Sequence, residues 1–124
     1  MHRMGAQPSE VLGIAQYVAS HPQLTVEGLY THFAVADEPS HPANARQLDT
    51  FRSVLDTLSA RGINPPIVHA ANSAAALTNA DSRFTMARIG IATYGLLPGR
   101  GVAEECKGLI PAMSLKARVS AVRW

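Results

Sequence analysis

Cysteine occurs once, at Cys106, so neither an internal disulfide framework nor a Cys-rich zinc site is available to this chain. A reducing, cytoplasmic setting is the compartment that such usage implies. Lysine is nearly as scarce. The 11 basic residues are nine Arg and two Lys, and Lys107 and Lys116 both fall in the last fifth of the sequence. Chemistry that needs a lysine in the body of the fold finds none here. Aromatics amount to 6% and no Lys/Arg run could follow a phosphate backbone, which sets nucleic-acid binding aside. No apolar stretch approaches the roughly 18 residues of a membrane span. The opening run from Met1 to Gln7 also lacks the apolar stretch of a secretion signal. The net charge is only +2, and charged residues make up 16% against 47% apolar, so a core can form and disorder is not expected. At 124 residues the chain is one domain or part of one.

The periodicity predicts alternating helices and strands. Pro8-Ser9-Glu10 opens a helix in which Val11, Ile14, Ala15, Val18 and Ala19 share a face, and His21-Pro22 ends it. Leu24 to Ala34 is rich in Val, Leu, Tyr, Thr and Phe and reads as a buried strand with His32 near its C-terminal end. After a polar loop from Asp37 to Pro42, Ala45, Leu48, Phe51, Leu55 and Leu58 recur at helical steps. That helix runs to about Arg61, with Gly62 as its stop. Ile67 to Ala70 is a short strand, Ser73 to Leu77 starts a short helix, and Phe84 to Ile89 reads as a further strand. Gly90 to Gly95 is a turn or a single helical turn. Ser114 to Val122 alternates roughly as polar and apolar, an exposed strand or extended connector. Such alternation predicts an α/β fold with a parallel sheet and helical crossovers. A complete (β/α)8 barrel needs about 250 residues, so the chain is either a small open α/β domain or part of a barrel.

The polar groups that could carry chemistry sit just after strands, the ligand face of α/β folds. They are His32; His69, Asn72 and Ser73; and Arg88 with Gly90 and Ile91. Ser73 stands where an N-cap belongs. The same position could offer its hydroxyl and first-turn N–H groups to an anion, with Ala74 to Ala76 leaving room for a phosphate. Gly90 lets backbone approach such an anion. Arg88 lies in an apolar strand between Ala87 and Ile89, where it either points outward or needs buried acceptors. His32 and His69 could supply those acceptors. His2, His21 and His41 lie in loops without metal-ligand spacing, and no metal is expected. Cys106 has the acidic neighbours Glu104 and Glu105, which argue against a nucleophile. Arg3 carries no message by composition alone.

Taken together, four runs resemble the middle of a bacterial alanine racemase. They are Gly28-Leu29-Tyr30-Thr31-His32-Phe33-Ala34-Val35-Ala36-Asp37-Glu38, His69-Ala70-Ala71-Asn72-Ser73, Arg88-Ile89-Gly90-Ile91-Ala92-Thr93-Tyr94-Gly95-Leu96, and Pro111-Ala112-Met113-Ser114-Leu115-Lys116-Ala117-Arg118-Val119. Their order and spacing hold over nearly the whole chain. The resemblance implies a pyridoxal 5′-phosphate (PLP) barrel followed by a β-domain, working as a cytoplasmic homodimer. Its reaction would interconvert L- and D-alanine and supply D-alanine for peptidoglycan. It implies that Ser73, Gly90 and Ile91 hold the cofactor phosphate and that Arg88 faces the pyridine nitrogen. His32, His69 and Asn72 would support these groups from behind. Arg3, in Met1-His2-Arg3-Met4-Gly5, would match the family's arginine near the cofactor and the substrate carboxylate. An Arg that keeps its own proton leaves the ring nitrogen largely unprotonated, a weaker electron sink that favours racemisation over transamination.

The resemblance also implies what is missing. The family's PLP lysine belongs to an earlier strand, and neither Lys107 nor Lys116 fits it. The tyrosine base belongs to the later domain of the other subunit. No catalytic residue is therefore expected in this chain, which reads as a fragment inactive on its own. Residues 1–98 would be the second half of the barrel, about its last four β/α units. Residues 99–124 would be a loop and extended connector, or first strand, toward the β-domain. A non-catalytic PLP-binding barrel, a racemase for another small amino acid, and a stand-alone α/β anion-binding module are the alternatives.

Overall fold

A computed structural model describes residues 4–124. Helix α1 spans Pro8–Ala19 and α2 spans Pro42–Ser59, with strand β1, Gly28–Tyr30, between them. Strand β2, Ile67–His69, and helix α3, Ser73–Thr78, follow. Short 3-10 turns occupy Ala80–Ser82, Ile91–Tyr94 and Arg100–Val102. The architecture is α/β, as the alternation predicts.

Each long helix is bounded by local chemistry. Pro8 occupies the start of α1, where a missing N–H costs nothing, and the Gln7 N–H donates to the Glu10 carboxylate at 2.7 Å. Pro42 does the same for α2, with His41 Nδ1 accepting from the Ala43 N–H at 3.2 Å. Gly62 follows α2 with φ +73°, a conformation that side chains resist, and the Ile63 N–H turns back to Leu58 O at 3.0 Å.

β1 and β2 pair in parallel, with Gly28 opposite Ile67, Leu29 opposite Val68 and Tyr30 opposite His69. α2 is their crossover. The ladder is much shorter than the run from Leu24 to Ala34 that reads as strand. Upstream of Ile67 it would next need the N–H of residue 65, which is a proline. Downstream the chains part after the Thr31 N–H reaches His69 O at 3.2 Å.

The expected third strand, Phe84 to Ile89, is not a regular one. It lies beside β2, where the Thr85 N–H donates to Val68 O at 3.0 Å and the Arg88 N–H to Ala71 O at 2.9 Å. The Val68 N–H, however, goes to the Thr85 hydroxyl at 2.7 Å, so a side chain takes the place of a ladder carbonyl. Phe84 has φ +45°, which also breaks the extended conformation.

The core lies on one side of this sheet. Leu48 and Phe51 of α2 meet Val68 of β2, Phe33 and Ala36 after β1, and Ala74 and Ala75 of α3. Val102 and Cys106, after the expected boundary at residue 98, are buried in the same cluster. Farther along, the chain crosses the turn at Gly95, where a Cβ would sit 1.9 Å from Ile110 O. Residues 111–124 are exposed and form neither helix nor strand. Among the described residues, no helix is long and apolar enough to cross a membrane.

Candidate functional site

Strand alternation sorts the residues around β1 and β2. Leu29 and Val68 take part in the core, and the Thr31 hydroxyl accepts from Gln47 Nε2 of α2 at 2.9 Å. Tyr30 and His32 are one residue out of phase with these, so they stand on the opposite face. Tyr30 and His69 are register partners. Their rings therefore stack, with centroids 5.0 Å apart and planes within 1°, a separation close to the interstrand spacing of about 4.8 Å.

Arg88 reaches this face from the segment beside β2. Its Nη2 donates to Thr31 O at 2.8 Å, to His32 Nδ1 at 3.1 Å and to Ala70 O at 3.3 Å. Its Nη1 donates to His69 Nδ1. The guanidinium carbon lies 5.4 Å from the Tyr30 ring centroid. Arg88 is thus half-buried and clamped across the ends of both strands rather than turned outward. A guanidinium has five donors and no acceptor. Both imidazole Nδ1 atoms must accept, which leaves the ring proton of each neutral histidine on Nε2. Burial and then the Arg88 charge push the His69 pKa below its ordinary value. Burial also lowers that of Arg88, partly opposed by Tyr30. Among the described residues, the contacts of Arg88 leave one Nη1 hydrogen and the Nε hydrogen for a further acceptor.

The second half of the site joins two loops. Ser73 is buried, and its Oγ accepts from the Gly90 N–H at 2.9 Å and the Ala92 N–H at 3.4 Å. The N-cap expected at Ser73 is instead Asn72, one residue earlier: its Oδ1 accepts from the Ala75 N–H at 3.0 Å. That shift frees the Ser73 hydroxyl for the loop at residue 90. Asn72 thus acts through helix α3 rather than through Arg88. A Cβ on Gly90 would sit 3.7 Å from Ser73 Oγ, projecting into the space between the loops. An open pocket beside them is lined by Asp37, Asn72, Ser73, Ala74, Ile91 and Pro98.

Of the residues singled out in the sequence, Ser73 and Ile91 line one pocket, Gly90 is tied to it through its N–H bond to Ser73 Oγ, and Arg88, His32 and His69 form a cluster at the strand ends. Arg3 lies outside the described residues. The sequence reading did not anticipate Tyr30, the Ala92 N–H or Gln47. Gln47 holds the exit of β1 through Thr31, through His32 O at 2.7 Å and through the Ala34 N–H at 3.3 Å. The signal for Tyr30 was present, because residues 30 and 32 alternate onto one face and residue 30 pairs with residue 69.

The donor set suits an anion joined to a flat heterocycle. The two loop N–H groups donate to Ser73 Oγ, which leaves that hydroxyl's own hydrogen for an acceptor, and Arg88 holds further unspent hydrogens. A Cβ at residue 90 would stand in ordinary contact with the Ser73 hydroxyl, at 3.7 Å. By these features the residues could take an anionic ligand.

Comparison with known proteins identifies the family. The chain matches the family described as alanine racemase, N-terminal domain, over residues 1–98. It is 43% identical to the alanine racemase of Symbiobacterium thermophilum over 124 residues, all of this chain and 33% of that protein. The structure superposes on alanine racemase of Clostridium difficile 630 with a TM-score of 0.83 at 35% identity, covering 99% of this chain and 34% of the other. On the crystal structure of alanine racemase from Bacillus anthracis with bound L-Ala-P the TM-score is 0.79 at 39% identity, covering 90% and 30%. The chain spans about a third of the length of the curated relatives it matches. It belongs to the alanine racemase N-terminal domain family.

Proposed function

We propose that this chain is the second half of the PLP-binding (β/α)8 barrel of an alanine racemase. On this reading the whole protein is a cytoplasmic homodimer that interconverts L- and D-alanine, providing D-alanine for peptidoglycan. The carrying observation is the meeting of the Ser73 hydroxyl with the Gly90 and Ala92 N–H groups, beside an Arg88 clamped over two strand ends. The bound L-Ala-P named for the Bacillus anthracis relative supports alanine as substrate.

PLP, when bound, supplies an electron sink that acidifies a substrate Cα–H. Ser73, Gly90 and Ile91 would hold its phosphate. Arg88 turns its uncommitted hydrogens to the ring nitrogen. Because a guanidinium keeps its proton and four acceptors fix it as a donor, it would face that nitrogen without surrendering a proton. His32 and His69 keep it in place, and Gln47 keeps Thr31 and His32 in place. No lysine precedes Lys107, so a lysine that bonds PLP would come from elsewhere in the protein, as the resemblance also implies for the tyrosine base.

The test is PLP titration and D-alanine formation with the full-length protein. Ser73→Ala should weaken PLP binding about tenfold, the equivalent of one lost charge-assisted hydrogen bond. The 124-residue chain alone should form no D-alanine. Unaltered PLP affinity in Ser73→Ala would remove the phosphate site from this face.

A further inference from the structure

We infer that Tyr30 is a positioning residue whose aromatic face, packed against both the His69 ring and the Arg88 guanidinium, fixes the direction in which that guanidinium points. Hydrogen bonds alone leave this direction underdetermined. Thr31 O, Ala70 O and the two Nδ1 atoms all lie at strand ends, and a planar cation can tilt while keeping most of them. Tyr30 removes the tilt. Its ring stacks within 1° of the His69 plane and lies 5.4 Å from the guanidinium carbon. A cation beside an aromatic face is held electrostatically, and here the same ring also orients the imidazole that accepts from that cation. Tyr30 is 55% exposed, so it contributes little core burial that would otherwise explain it. The contact follows from backbone register, because Tyr30 and His69 are opposite each other and so on one face. What Arg88 faces rests on the PLP reading; that Tyr30 aims Arg88 does not.

The experiment has two arms on the full-length protein. The first needs no cofactor. Nitrogen-15 NMR of His69 at alkaline pH reads which ring nitrogen carries the proton. The unsubstituted protein and Tyr30→Phe should each show one tautomer, protonated at Nε2. Tyr30→Leu, which keeps apolar bulk without an aromatic face, should populate both, at a melting temperature near that of the unsubstituted protein. The second arm titrates PLP by absorbance. Tyr30→Leu should bind it roughly fivefold more weakly, the scale of one lost cation–π contact, and Tyr30→Phe normally. A single Nε2–H tautomer in both Tyr30→Leu and Tyr30→Ala overturns the positioning role. Failure of PLP to bind the unsubstituted protein sinks the cofactor reading alone, and the tautomer arm still decides the role of Tyr30.

Discussion

The two faces of the small sheet are built on different physics. Toward α2, Leu29 and Val68 join Leu48 and Phe51 in a dry cluster where burial supplies the stability. On the other face, Tyr30, His32, His69 and Arg88 are held by one another through directed hydrogen bonds and ring contacts. The first face can tolerate apolar exchange if volume is kept. The second cannot, since each group has one partner geometry. The largest effect should therefore come from the dry side. Phe51, 6% exposed and edge-on to Phe84 at 5.4 Å, leaves a cavity when cut to alanine. Phe51→Ala should cost about 3–5 kcal/mol, read from the urea midpoint.

Arg88→Lys probes the other face and should cost less, about 1.5–3 kcal/mol. An ammonium carries its donors on one nitrogen, so it cannot reach Thr31 O and His69 Nδ1 together as the forked group does. Equal stability of the two proteins in urea would mean that the clamp across both strands does not hold this face.

What could be read in the sequence follows the same division. The period of Leu48, Phe51, Leu55 and Leu58, with Gly62 beyond, located α2 because an apolar stripe and a positive-φ stop are local signals. The strands were overdrawn because pairing depends on the partner. Pro65 ends the ladder at one end, and the Thr85 hydroxyl displaces a carbonyl on the far side of β2. Within the site, Arg88 and its two histidines were legible as a cation that needs acceptors. Ser73 was legible as polar at a helix start, but which of two adjacent residues caps α3 is set by backbone angles that composition does not carry. Asn72 has the extended conformation of a cap, with φ −91° and ψ −173°. Asn72→Ala should accordingly cost about 1 kcal/mol of stability. Ser73→Ala should instead act mainly on PLP affinity. Thermal melts of the two variants beside their PLP titrations separate these roles, and a reversed pattern would return the cap to Ser73.

The smallest expected effect is a pH dependence confined to the polar face. His69 Nδ1 accepts a hydrogen bond from Arg88 Nη1, so the ring must be neutral for the clamp to form. Burial and the neighbouring positive charge both lower its pKa from the ordinary 6.5. Below 6.5 the unfolded chain binds a proton that the folded chain resists. Stability then rises with pH wherever the unfolded state holds more protons. The His69 contribution is complete above 6.5 and is lost progressively as the pH falls through that value toward the depressed folded one. His69→Gln offers a carbonyl oxygen as acceptor and has nothing to titrate. Melting temperatures followed from about pH 8 to about pH 5 should fall less steeply in His69→Gln than in the unsubstituted protein. Identical slopes would mean that His69 takes up its proton equally in both states, and that the clamp places no demand on its protonation.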